Sequence, residues 1–147
     1  MSRVSTYLNF NGQAEEAFEF YQSVFGTEYE VPITRFSEMP AGPGSPPLDE
    51  NEGAMILHAE LPILAGHVIM ATDVLASMGQ ELRVGNNTTI NLEPDSLEET
   101  ERLYDALVEG GGDGTGVTRM PWGYWGTCLD RFGVRWMFNF NPEGVVQ

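Results

Sequence analysis

Residues 14–26 read AEEAFEFYQSVFG, and their apolar side chains recur at the three- and four-residue spacing of a helix with one buried stripe. The opposite side carries glutamates and is suited to water. Asn11 is the expected N-cap, and Gly26 is the expected left-handed residue at the carboxyl end. The pattern predicts an amphipathic helix over residues 14–25 that packs its apolar stripe on a sheet.

The same pattern returns in the second half of the chain. Residues 97–104, LEETERLY, align without a gap with residues 14–21, AEEAFEFY. Residues 133–137, GVRWM, likewise align with residues 66–70, GHVIM. Repetition of whole segments indicates a duplicated structural unit. We therefore predict two tandem βαβββ modules.

The remaining segments supply the strands of an α+β fold. We expect one domain over residues 1–147, with modules at 3–74 and 86–141 that form a curved mixed sheet around a cavity. The second helix, over 97–109, begins with a capping box at Ser96. The expected strands cover residues 4–10, 28–36, 54–63, 66–73, 87–93, 117–120, 124–129 and 134–140.

A segment rich in proline and glycine, residues 39–53, interrupts the first module. Such a composition predicts a loop with neither helix nor central strand. Long loops inside compact domains serve as lids or partner contacts, or are disordered, and these three readings stay open here.

Composition and hydropathy indicate which classes of partner are disfavoured and in which compartment the protein is expected. The chain has 22 acidic residues against 7 arginines and no lysine, for a formal charge of −15, which disfavours nucleic acids and anionic membrane surfaces. No apolar run approaches the roughly 20 residues of a membrane span, and the start has no hydrophobic signal core. We expect a soluble cytoplasmic protein. Cys128 is the one cysteine, so no internal disulfide is expected.

Short motifs along nearly the whole chain resemble the vicinal oxygen chelate superfamily, the glyoxalase, bleomycin-resistance and extradiol dioxygenase group. The resemblance is to its PhnB-like branch, which often carries the label 3-demethylubiquinone-9 3-methyltransferase, and it implies the same fold and a homodimer. The motifs are YLNFNG at 7–12, EEA at 15–17, FY at 20–21, VFG at 24–26, HAEL at 58–61, MATD at 70–73, GNNT at 85–88 and FGVRWM at 132–137.

Metal-dependent members of that superfamily place ligands on the first and last strands of each module. None of the equivalent positions here holds His, Asp, Glu or Cys, and a thioether is a poor ligand for hard or borderline ions. We therefore predict no metal ligands and no cofactor, with a divalent metal as the alternative. The equivalent positions are Met70 and Met137 on the last strands, and Ser5 or Thr6 and Asn87 or Thr89 on the first.

His58 and Glu60 are the candidate catalytic pair. They lie two residues apart on a predicted strand, so their side chains project on the same side. Facing a cavity, His58 would act as a base that Glu60 orients. Facing solvent, both would be ordinary surface residues.

Further residues are candidates for ligand binding. Trp122, Tyr124 and Trp125 cluster within four positions, where a ligand contact, a dimer contact and core packing are all open. Arg135 would bind an anionic ligand or form an internal salt bridge. The full candidate set is Tyr7, Asn9, Met70, Asn91, Trp122, Tyr124, Trp125, Arg135 and Met137.

The methyltransferase label finds no support in the residues, and whether the protein is an enzyme stays open. Nucleotide-type S-adenosylmethionine sites use a glycine-rich turn between a strand and a helix, whereas glycines 110–116 follow a helix and precede a strand. We expect a protein that binds a small molecule in the cavity without a catalytic metal. The alternatives are a metal-dependent lyase, isomerase or dioxygenase, and a non-catalytic structural or regulatory dimer.

Overall fold

The structure, a computed structural model, describes residues 1–39, 44 and 47–143. The chain divides into two compact units, residues 1–83 (unit 1) and 84–147 (unit 2). None of the described helices is long and apolar enough to cross a membrane. The elements are β1 Thr6–Phe10, α1 Ala14–Phe25, β2 Thr34–Arg35, α2 Glu50–Ala54, β3 Ile56–Pro62, β4 Val68–Asp73, β5 Ile90–Leu92, α3 Leu97–Val108, β6 Thr118–Met120, β7 Gly123–Leu129 and β8 Arg135–Phe140, with short 3-10 turns at Phe36–Glu38, Leu64–Gly66 and Ala76–Met78.

Each unit contains one four-stranded mixed sheet. The order is β1-β4-β3-β2 in unit 1 and β5-β8-β7-β6 in unit 2, and the first two strands of each order run parallel. Both α1 and α3 have 12 residues and begin at the two residues that the sequence repeat aligns. The predicted α+β fold of two βαβββ modules is confirmed.

In unit 1, α1 packs on β3 and β4 and covers one face of the sheet. Phe18 and Tyr21 of the helix are fully buried, as are Leu61 and Ala71 of the sheet. The side chains on the other side of these strands are half-buried: His58, Glu60, Met70 and Thr72. The sheet therefore has one helix-covered face and one open face.

A buried carboxylate fixes the start of α1. Gln13, not Asn11, is the N-cap, and its side chain makes no capping bond, so the predicted Asn11 cap is wrong. Asp73 at the end of β4 instead accepts hydrogen bonds from the backbone N–H groups of Ala14 (3.0 Å) and Ile56 (2.9 Å). At the other end Gly26 has φ +66 and confirms the predicted left-handed cap.

The second strand is much shorter than the sequence predicts. Of residues 28–36, only Thr34–Arg35 pairs with the sheet. Pro32 has no N–H to donate. The guanidinium of Arg35 turns to Glu15 on α1 at 3.0 and 2.7 Å, and the chain leaves the sheet as a 3-10 turn.

The prediction of a helix-free loop over residues 39–53 is wrong at its carboxyl end. Residues 50–54 form α2, because Asp49 caps the turn by accepting from the N–H of Glu52 at 2.7 Å. The lid reading rests on residues 39–53, of which residues 40–43, 45 and 46 lie outside the described residues.

In unit 2, α3 packs on β7 and β8 over a core of large side chains. Ser96 accepts from the N–H of Glu99 at 3.0 Å, as the capping box predicts. Trp136 and Phe138 are fully buried, and the ring of Phe138 lies 5.4 Å from that of Tyr104 on α3.

The glycines after α3 have a packing role. A Cβ on Gly111 would lie 2.0 Å from the carbonyl oxygen of Leu129, and one on Gly114 would lie 2.4 Å from the hydroxyl of Tyr104. The run lies between the end of α3 at Val108 and the start of β6. Close approach of the backbone to its neighbours accounts for these glycines without a nucleotide.

Candidate functional site

The open face of unit 1 gathers five of its candidate residues. Tyr7, Met70 and Glu60 are cross-strand neighbours on β1, β4 and β3, and Asn9 lies opposite Thr72. His58 lies two residues from Glu60 on the same strand. We call this set, Tyr7, Asn9, His58, Glu60, Met70 and Thr72, the open face of unit 1.

The predicted catalytic pair is in contact. Nε2 of His58 lies 2.9 Å from Oε2 of Glu60, and the His58 ring centroid lies 6.1 Å from that of Tyr7. Arg3 approaches the other oxygen of Glu60 at 3.6 Å. The hydrogen bond from His58, with help from the charge of Arg3, lowers the pKa of Glu60 although burial opposes the shift. Glu60 is therefore an anion that holds the imidazole in place.

Met70 occupies the middle of that face. Its sulfur accepts from the hydroxyl of Ser5 at 3.8 Å, whereas Thr6 contacts Nε2 of His67 at 2.9 Å. In the sheet register Met70 pairs with Tyr7, and Ser5, two residues earlier on the chain, reaches the Met70 sulfur.

Unit 2 repeats this arrangement with different side chains. Met137 on β8 lies between Asn91 of β5 and Thr127 of β7, and the predicted positions Asn87 and Thr89 precede β5. We call the outward set the open face of unit 2: Asn91, Trp125, Thr127, Arg135, Met137 and Asn139.

A chain of amides crosses the open face of unit 2. Nδ2 of Asn139 donates to Oδ1 of Asn91 at 2.7 Å, and Nδ2 of Asn91 donates to Glu93 at 2.8 Å. The sequence analysis did not name Asn139, Glu93 or Thr127 as site residues. Their even spacing from Asn91, Met137 and Trp125 is the signal that identifies them, because alternate strand residues share a face.

The aromatic cluster at residues 122–125 does not form one surface. Trp125 lies on the open face opposite Asn139, but Tyr124 points to the other side, as successive strand residues must. There Tyr124 contacts Phe140, with ring centroids 6.4 Å apart, and accepts from Arg119 at 3.2 Å. Trp122 lies in the turn before β7 and is exposed.

Arg135 is only partly satisfied by its neighbours. Its Nη2 lies 3.5 Å from Oδ2 of Asp113, so the predicted internal ion pair is present but long. Within the described residues its Nε is buried and has no hydrogen-bond partner. Buried donors in proteins are nearly always paired.

The described residues contain neither a grouped set of metal-ligating side chains nor an activated cysteine. Residues 1–39, 44 and 47–143 contain no group of three His, Cys, Asp or Glu side chains arranged to hold a metal ion. The cross-strand partners of Met70 and Met137 are a phenol, amide, hydroxyl and carboxylate rather than a convergent donor set. Cys128 is buried, and burial followed by the charge of Asp130 raises its pKa to about 12.

Comparison with known proteins identifies the family. A protein-family model described as 3-demethylubiquinone-9 3-methyltransferase matches residues 2–138. Protein YjdN of Escherichia coli is 32% identical over 150 residues, which covers 98% of this chain and 99% of YjdN. Among solved structures, protein PA1353 of Pseudomonas aeruginosa is 32% identical with a TM-score of 0.81, covering 96% of this chain and 98% of its own.

Two further solved structures share the fold of this chain. The PhnB protein from Bacillus cereus is 25% identical with a TM-score of 0.73, over 95% of this chain and 99% of its own. A glyoxylase/bleomycin resistance protein/dioxygenase domain from Frankia shares the fold, with a TM-score of 0.64 at 15% identity over 99% and 96% of the two chains. The chain belongs to the 3-demethylubiquinone-9 3-methyltransferase family and shares the fold of the glyoxylase/bleomycin resistance protein/dioxygenase domain.

Proposed function

We propose that this protein binds a small molecule on the open faces of its sheets without a catalytic metal. The observation that carries the proposal is the placement of Met70 and Met137, which occupy equivalent mid-sheet positions in the two units. A thioether is polarisable and adapts to irregular apolar ligands. It is a poor ligand for the hard or borderline divalent ions that polarise oxygen-rich substrates.

The surroundings of the two methionines support binding. Small-molecule sites combine apolar and aromatic contacts with a few convergent polar groups. Tyr7 and Trp125 supply aromatic surface on the two open faces. The His58–Glu60 pair and the amide chain through Asn91 supply the polar groups.

A thermal-shift screen with aromatic and apolar metabolites tests the proposal. A ligand at 100 times its Kd stabilises the folded state by about 2.7 kcal/mol, which raises Tm by roughly 5–10 °C in a chain of this size. Met70→Lys and Met137→Lys place a charge in the site and should abolish the shift. Met78→Lys is the matched control, because Met78 is exposed on a 3-10 turn. If no compound raises Tm, binding is rejected.

Metal analysis of the purified protein tests the metal-free part separately. We expect less than a tenth of a metal ion per chain after purification without chelators. Stoichiometric zinc, nickel, manganese or iron would overturn this part and favour a metal-dependent lyase, isomerase or dioxygenase.

Acid–base catalysis is a second candidate, favoured by the 2.9 Å contact of His58 with Glu60. With its Nε2–H donated to Glu60, the imidazole presents Nδ1 as a proton acceptor. Incubation of any ligand found in the screen should yield product with wild type and with His67→Gln, but not with His58→Gln. Equal turnover by the His58 and His67 variants would contradict a catalytic role.

We also propose a cytoplasmic homodimer that has neither nucleic-acid nor membrane partners. Homodimers are common in the superfamily, and the formal charge of −15 supports the absence of polyanionic partners. Light scattering should give about twice the chain mass of 16.3 kDa. A monomer mass would contradict the dimer.

A further inference from the structure

We propose that the open face of unit 2 takes a ligand in which a carboxylate is attached to an aromatic ring, with the carboxylate bound by Arg135. This inference rests on the small-molecule binding proposed above and names the class of ligand. It starts from a buried donor, Nε of Arg135, that has no hydrogen-bond partner among the described residues.

The ion pair with Asp113 leaves hydrogen-bond donors of the Arg135 guanidinium unused. Charge-assisted N–H···O bonds are usually 2.7–2.9 Å long, whereas Nη2 of Arg135 lies 3.5 Å from Asp113. By contrast, Arg35 makes two bonds to Glu15, at 3.0 and 2.7 Å. Asp113 is also 68% exposed, so a competing carboxylate can replace it in solution. Nε and Nη2 form the fork that a planar carboxylate binds through both oxygens once the guanidinium turns outward and exposes Nε.

The rest of the ligand is specified by the residues beyond the guanidinium. On β8, Met137 and Asn139 follow Arg135 at alternate positions on the same face, and Trp125 lies opposite Asn139. Four residues of strand, about 13 Å, separate Arg135 from this last pair. A fused aromatic ring attached to the carboxylate would lie over Met137 and reach the indole of Trp125. Sulfur–aromatic and ring–ring contacts both favour that placement.

Two probes that share a naphthalene ring but carry a carboxylate or a neutral amide test the role of Arg135. Calorimetric titration of the full chain with 2-naphthoate and with 2-naphthamide should show at least tenfold tighter binding of the carboxylate. Arg135→Gln should weaken 2-naphthoate by about 10- to 100-fold, the value of a hydrogen-bonded charge, and leave 2-naphthamide unchanged.

Two further variants control for charge and for competition. Arg119→Gln removes an arginine that contacts Tyr124 away from the open face, and it should leave the affinity for 2-naphthoate unchanged. Asp113→Asn removes the competing carboxylate and should tighten 2-naphthoate several-fold. Asparagine tolerates the left-handed backbone at this position, where φ is +51. If Arg135→Gln does not fold, Arg135→Lys takes its place, because lysine keeps the positive charge but lacks the forked pair of donors. The lysine variant should also bind 2-naphthoate more weakly.

The outcomes separate this inference from the function on which it rests. Equal affinity for the two probes, or full affinity for 2-naphthoate in Arg135→Gln, overturns the carboxylate site. If neither probe binds but the thermal-shift screen finds a ligand, the carboxylate site is also overturned, whereas small-molecule binding is not. A screen without any hit overturns both.

Discussion

Asp73 links three elements of unit 1, and replacing it tests whether that link holds the open face in register. Its two carboxylate oxygens accept from the N–H of Ala14 at the start of α1 and from that of Ile56 at the start of β3. Its side chain is almost fully buried. In Asp73→Asn one oxygen becomes an NH2 group, which cannot accept and faces another donor.

The expected loss follows from the hydrogen bonds. A bond to a charged group contributes about 1.5–3 kcal/mol, and a buried donor without a partner costs about 1–3 kcal/mol. The variant weakens one bond and orphans one donor, so we expect the free energy of unfolding to fall by about 2–4 kcal/mol. For a chain of about 150 residues this lowers Tm by roughly 5–15 °C.

Calorimetry and urea unfolding measure this loss. The matched control is Asp105→Asn, at an exposed position on α3, which should change stability by less than about 0.5 kcal/mol. If Asp73→Asn falls within that same margin, the carboxylate does not hold α1 to the sheet and the reasoning is refuted.

Three further predictions concern packing, the thiol and pH. Gly111→Ala should destabilise by about 3 kcal/mol, since its Cβ would lie 2.0 Å from a carbonyl oxygen, whereas Gly112→Ala, with nothing within 4 Å, should be tolerated. Similar Tm values for the two variants would contradict this. Cys128, with a pKa of about 12, should resist Ellman's reagent at pH 8 until urea unfolds the protein. Rapid reaction of the thiol in the folded protein would contradict this prediction. The interactions that lower the pKa of Glu60 stabilise the folded state at pH values above 4.5, the ordinary pKa of the carboxyl group. This stabilisation is lost as the pH falls through the lowered pKa of the folded state. Glu60→Gln should therefore lower Tm at pH 7, and the deficit should shrink as the pH falls below 4.5; a deficit that does not change with pH would refute the pairing.

The parts of the fold that sequence predicts are those that depend on local patterns. Helix periodicity placed both helices at their observed starts, and the repeat placed Met70 and Met137 at equivalent positions. The same alternation of strand residues put His58 and Glu60 on one side, where they are in contact. Helix and strand periodicity involve neighbours within four residues, and the repeat needs only a comparison of two segments. None of these patterns requires knowledge of distant contacts.

The parts that sequence missed depend on distant partners. The cap of α1 comes from Asp73, 59 residues beyond Ala14, so a search for a local cap finds only Asn11. The end of the second strand depends on Arg35 reaching back to Glu15. Such bonds become visible only once the chain has folded.

The sequence predicted which residues belong to the candidate site better than it predicted how they are arranged. Closeness in sequence grouped Trp122, Tyr124 and Trp125 as candidates, but Tyr124 and Trp125 are successive strand residues and face opposite ways. The even spacing of Asn139 from Met137 places it on the same face, but its hydrogen bond to Asn91, on a strand far away in sequence, could not be read from that spacing.

The central claim is that the open faces bind a small molecule through Met70 and Met137. Methyl NMR of protein labelled at its seven methionines tests it most directly, with Met78 as an internal control. On titration with a compound that raises Tm, the account predicts that the methyl signal of Met70 or Met137 shifts in a saturable way while that of Met78 stays fixed. Saturable binding that leaves both the Met70 and the Met137 signals unmoved would contradict it.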